Sequence, residues 1–132
     1  MSNDRLIKEF LVDIHNTIAE HADGFIDDLV NGQFALIYPP GIKLTEEQNN
    51  SIRSISLISE QQDALKIVVK DLCANLVLDM FAKLDGVADP SVIETQGVWP
   101  GLTVIEKTDE NEGDFLHDQF LGEFWTYHEF NT

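Results

Sequence analysis

Apolar side chains recur at Leu6, Phe10, Ile14 and Ile18, with Ile7, Leu11 and Ala22 widening the same face and Ser2 ahead of them as a candidate N-cap. Residues 3 to 22 therefore read as an amphipathic helix. Asp23-Gly24 is expected to end or kink it, after which Phe25, Ile26, Leu29 and Val30 spell a short second helix closed by Asn31-Gly32. Phe34 to Tyr38, FALIY, is an apolar run held between a glycine and Pro39-Pro40-Gly41, which fits a short buried strand. Thr45 with Gln48 three residues on forms a capping-box pair, but the EEQNNSIRSI that follows has only Ile52 and Ile55 to bury. The helix expected there is short and peripheral.

The dominant element is Ser59 to Gly86, SEQQDALKIVVKDLCANLVLDMFAKLDG. From Leu72 to Leu84 only Asn75, Asp79 and Lys83 interrupt the apolar residues, and their four-residue spacing confines them to one narrow stripe. A helix apolar on almost every other side is expected to be buried by its neighbours, so residues 60 to 84 read as the centre of the fold. Ser59 with Gln62 reads as its capping box, and Asp85-Gly86 supplies a left-handed glycine to end it.

Beyond it, VADPSVIETQGVWPG has two prolines and little periodicity, as an irregular connection does. LTVIEK, Leu102 to Lys107, alternates with enough β-branched residues to read as a second short strand, and pairing it with FALIY would satisfy both backbones. Asp114 is a candidate N-cap for a last helix, DFLHDQFLGEFWTYHEF, with Leu116, Phe120, Phe124 and Tyr127 on one face. Gly122 in its middle hints at close packing by another element. Together these elements predict a helix-rich α+β fold, a single globular domain over residues 1–132. Its N- and C-terminal helices would pack on a central buried helix beside a small two-stranded sheet.

Charge changes the picture more than composition does. The chain carries 24 acidic residues against 8 Lys and Arg, a formal net charge of −16, yet it is 43% hydrophobic and so apolar enough to fold. Eleven acids and one base, Lys107, lie between Asp85 and Thr132, and six acids and no Lys or Arg between Glu9 and Ile42. So few cations argue against nucleic acid as a partner and against attraction to anionic lipid, and no apolar run is long enough to span a bilayer. A field of this sign steers a cationic protein. The single cysteine, Cys73, sits within the apolar helix and cannot form an intrachain disulfide, which with the missing signal peptide points to the cytoplasm.

Candidate chemistry is sparse. Asp114, His117 and Asp118 share one helical face by spacing and would be the ligands of a metal-dependent enzyme, although Asp114 is equally the helix cap and Asp118 a carboxylate suited to the helix's positive end. Neither a Gly-x-Ser-x-Gly elbow nor a phosphate loop is present. The expected function is therefore non-enzymatic, without catalytic residues, cofactor or bound metal. The expected surface is the densest acidic patch, Asp109, Glu110, Glu112, Asp114 and Asp118, with Trp125 or Tyr127 beside it as an aromatic anchor.

The combination of LDGVADP with W-P-G-L, FLHDQF and FW-x-Y resembles a group of small bacterial cytosolic proteins, and the likeness runs from residue 34 to Tyr127. It implies no particular fold or activity. In size and charge, though not in sequence, the chain also resembles bacterial toxin immunity proteins, which implies a basic toxin such as a nuclease as the partner. A structural or adaptor subunit of a larger bacterial assembly, with the aromatic tail as its contact surface, is the other non-enzymatic expectation.

Overall fold

The computed structural model describes residues 2–90, 98–105, 107–108, 110 and 116–130. Five helices are present among them: α1 (Ser2–Asn31), α2 (Glu46–Arg53), α3 (Ser59–Leu84), α4 (Leu116–Gly122) and α5 (Phe124–Phe130). Among the described residues there is no strand, so the expected α+β fold with a two-stranded sheet is corrected to all-α. FALIY and Leu102 to Ile105 form no ladder. The Leu102 N–H is instead spent on the Leu84 carbonyl at 2.7 Å, and the other run is cut off at Pro39-Pro40. A lone two-stranded ribbon is marginal in water in any case.

Two compact units make up the chain: Met1–Asp27 with Leu57–Glu106, and Asp28–Ser56 with Lys107–Thr132. In the first, Phe10 of α1 meets Phe81 of α3 edge to face at 6.5 Å, and Asp23 of α1 lies 3.9 Å from Lys66 of α3. Low numbers meeting high ones is what two helices running in opposite directions give. Ala22 and Ile26, one turn apart on α1, are the buried apolar side chains among the described residues.

Gly24 does not break α1, which runs straight on for 30 residues. A glycine within a helix costs about 1 kcal/mol relative to alanine, which the apolar face on both sides of it outweighs. The true stop is Gly32, at φ +65, where Gln33 N–H reaches back to the Asp28 carbonyl at 3.1 Å and Gly32 N–H to Leu29 at 3.3 Å. Thr45 and Gln48 do form the reciprocal cap of α2, with bonds of 2.9 and 3.1 Å. At α3 the cap falls one residue earlier than the Ser59–Gln62 pair suggests. Ile58 is the N-cap, its N–H donates to Gln61 Oε1 at 2.9 Å, and Gln62 Nε2 donates to the Leu57 carbonyl.

The C-terminus of α3 is closed by the Trp-Pro-Gly-Leu segment. Trp99 Nε1 donates to the Lys83 carbonyl and Leu102 N–H to that of Leu84, each at 2.7 Å, satisfying two of the carbonyls that a helix end leaves open. Gly86 (φ +77) and Gly101 (φ +84) are required here. A Cβ on Gly101 would stand 2.5 Å from the Leu84 oxygen and 2.8 Å from the Gly86 nitrogen.

The burial expected of α3 is not found: it has no buried residue. Val68, Leu72, Leu76 and Met80 are 61%, 67%, 62% and 53% exposed. The elements of its unit reach one side of this helix and leave the other bare. The polar stripe is solvent-facing, with Asn75 Nδ2 donating to Asp71 Oδ2 at 3.0 Å.

In the second unit the tail is two short helices rather than one. Residues 111–115, and with them the expected Asp114 cap, lie outside the described residues. The aromatic side chains of the tail gather on Tyr38: Phe120 stacks on it at 6.0 Å and Phe124 meets it edge-on at 5.5 Å. Gly122 has nothing within 4 Å of where a Cβ would stand, so close packing is not its reason, and the helix is interrupted directly after it, at Glu123.

Candidate functional site

Because α1 is unbroken, five of its acidic residues and Asn16 fall into register. Glu9, Asp13, Asn16, Glu20, Asp23 and Asp27 follow one another at steps of four, three, four, three and four. At 3.6 residues per turn that spacing places them on one narrow stripe opposite Ile14, Ile18 and Ala22. All six are exposed, and the stripe is about 27 Å long by helical rise. Two of its carboxylates have a cation at hand: Glu9 accepts from Arg5 Nε at 3.0 Å, and Asp23 has Lys66. Asp13, Glu20 and Asp27 have no ion pair among the described residues. Val12, 54% exposed, borders the stripe and offers an apolar contact beside the charge.

The acidic patch expected near the C-terminus can be followed only in part. Asp109, Glu112 and Asp114 lie outside the described residues. Glu110 is exposed and its N–H donates to Thr108 Oγ1 at 3.3 Å; Asp118 is exposed, with His117 Nε2 3.3 Å from its Oδ1. Trp125 is 56% exposed, its ring 5.1 Å from Phe124 and 6.3 Å from His128, so one side packs in the aromatic cluster and the other meets solvent. Tyr127 packs against Phe124 at 6.0 Å and is similarly exposed.

Asp114, the third ligand of the metal reading, lies outside the described residues. Among those described, no three His, Cys, Asp or Glu side chains gather to hold an ion. A groove of about 530 Å³ lies between Phe10 and Leu11 of α1, Phe81 and Leu84 of α3, and the segment from Pro100 to Val104. It is open and mainly apolar, with Asp85 as its one carboxylate, and suits an apolar side chain better than a reacting group. Cys73 is half-buried on α3 and belongs to no cluster of three His, Cys, Asp or Glu side chains among the described residues. No helix among the described residues is long and apolar enough to cross a membrane.

The arrangement can attract and hold a cationic surface. Its best-formed part, the α1 stripe, is open to a reading of the sequence, since the four-three alternation of Glu9, Asp13, Asn16, Glu20, Asp23 and Asp27 is plain once the helix is allowed to continue. A break assumed at Gly24 detaches Asp27 and hides the register. Compared with known family models, curated proteins and solved structures, the chain matches none.

Proposed function

We propose that this chain is a non-enzymatic binding protein that covers a basic surface of another protein, in its most concrete form a cytoplasmic immunity protein or inhibitor neutralising a basic toxin such as a nuclease. The observation that carries this reading is the α1 stripe, a row about 27 Å long with five carboxylates, three of which have no ion pair among the described residues. Interfaces of standard size have comparable dimensions. A chain with net charge −16 adds a long-range field that raises the rate at which a cationic partner arrives, and the aligned carboxylates fix its orientation on contact. In the second unit the tail patch around Glu110 and Asp118, with Trp125 as anchor, offers the same chemistry separately.

Paired-bait capture from the source cells at low ionic strength tests the proposal. Wild-type protein is expected to retain a basic protein that elevated salt releases, and a bait carrying Asp13→Asn, Glu20→Gln and Asp27→Asn is expected to retain several-fold less of it. Equal retention by both baits would remove α1 from the interface; retention that salt does not weaken would remove electrostatics from the recognition altogether.

A further inference from the structure

A different surface carries an independent inference. Val68, Leu72, Leu76 and Met80 follow one another at four-residue steps along α3, forming one ridge about 18 Å long, and each is more than half exposed. Half-buried Leu65 and Val69 lie alongside it. This ridge also interrupts the chain's negative charge. Between Ala64 and Leu84 there are three cations (Lys66, Lys70, Lys83) and two acids (Asp71, Asp79), a net +1 in a chain of −16.

From these two facts we infer that α3 is the contact by which two copies of this chain pair, antiparallel, about a twofold axis beside residue 74. The argument for a second copy is charge and area. On its own side of the helix the α3 ridge has only Asp71, Asp79 and Lys83 beside it, Lys66 being turned to Asp23 of α1, so it meets its own image with far less repulsion than the acidic α1 would. Its spacing is self-complementary: inverted about residue 74, Leu72 falls beside Leu76 of the other copy and Val68 beside Met80. Ridges of four-residue spacing pack into one another in the commonest class of helix crossing. At roughly 100 Å² for each exposed side chain, with Leu65 and Val69 added, pairing removes on the order of 1,000 Å² in total. That is the lower limit of a specific interface.

Sedimentation equilibrium of the full chain over a wide concentration range, at low and high salt, tests this. A monomer–dimer equilibrium is expected whose dissociation constant falls as salt rises, because salt screens repulsion between the acidic remainders of the two copies. Val68→Lys alone and Met80→Glu alone are each expected to weaken dimerisation at least tenfold. The double variant Val68→Lys/Met80→Glu should recover most of it, since antiparallel pairing sets the new lysine of one copy against the new glutamate of the other. Ile67→Lys, on another face of α3, should leave the equilibrium unchanged, and far-ultraviolet circular dichroism of every variant should match wild type. A monomer at all concentrations and salts, or a dimer that Val68→Lys leaves intact, would overturn the inference. Single-variant losses that the double variant does not restore would overturn the antiparallel register.

Discussion

Replacing Gly101 by alanine is expected to cost about 3 kcal/mol of stability, and the structure divides that cost into two parts. A left-handed backbone at φ +84 costs an L-residue about 1–2 kcal/mol. The new Cβ would also stand 2.5 Å from the Leu84 oxygen and 2.8 Å from the Gly86 nitrogen, backbone atoms that have no rotamer to escape into. Relief requires the loop to lift, withdrawing the Leu102 N–H and the Trp99 indole from the last carbonyls of α3, two bonds worth about 1 kcal/mol each. Gly41 provides the control: its φ is +78, but nothing lies within 4 Å of a Cβ there, so Gly41→Ala should lose the backbone term alone. Urea unfolding followed by far-ultraviolet circular dichroism should show Gly101→Ala less stable than Gly41→Ala by about 2 kcal/mol. Equal losses at the two positions would mean that the Trp-Pro-Gly-Leu segment is not seated on the end of α3.

Gly24→Ala is expected to raise stability by about 0.5–1 kcal/mol, because the residue is helical with open space around it; a loss in thermal unfolding would mean that α1 is broken there after all. Thr45→Ala should cost about 1 kcal/mol through the reciprocal cap with Gln48, and Thr45→Ser, measured in the same denaturant series, should restore most of it. Lys66→Ala should change stability by less than about 0.5 kcal/mol, since its 3.9 Å approach to Asp23 is long and solvent-exposed. The triple amide variant at Asp13, Glu20 and Asp27 should be at least as stable as wild type at low salt, because it removes like charge; lower stability would show that one of these carboxylates makes a structural contact.

Local chemistry made much of the chain legible. The Thr45–Gln48 cap, the stop at Gly32 and the glycine closing α3 all follow from rules reaching no further than six residues, and all three are found. Errors arose where a local signal competed with a longer one. Gly24 is a weak breaker set inside a strong apolar period, and the period prevailed. FALIY and LTVIE have β-forming composition, but the Leu102 N–H went to the end of α3 rather than to a ladder, a bond set by the turn through Gly101 and not by the run itself. The α3 sequence is apolar on most sides, yet none of its residues is buried. A pattern states which faces avoid water but not whether the same chain supplies enough elements to cover them. The exposed Val68–Met80 ridge is that difference made visible. At the site, counting acids picks out the dense patch from Asp109 to Asp118, and register along an unbroken helix adds a longer row on α1.

The central claim, that the carboxylates of α1 receive a cationic protein, is tested most directly by association kinetics with the basic protein that wild-type bait retains. Stopped-flow rates at low ionic strength should fall about tenfold when Asp13, Glu20 and Asp27 become amides, and the difference should shrink as salt rises. The same rate for wild type and variant at low ionic strength would contradict the claim.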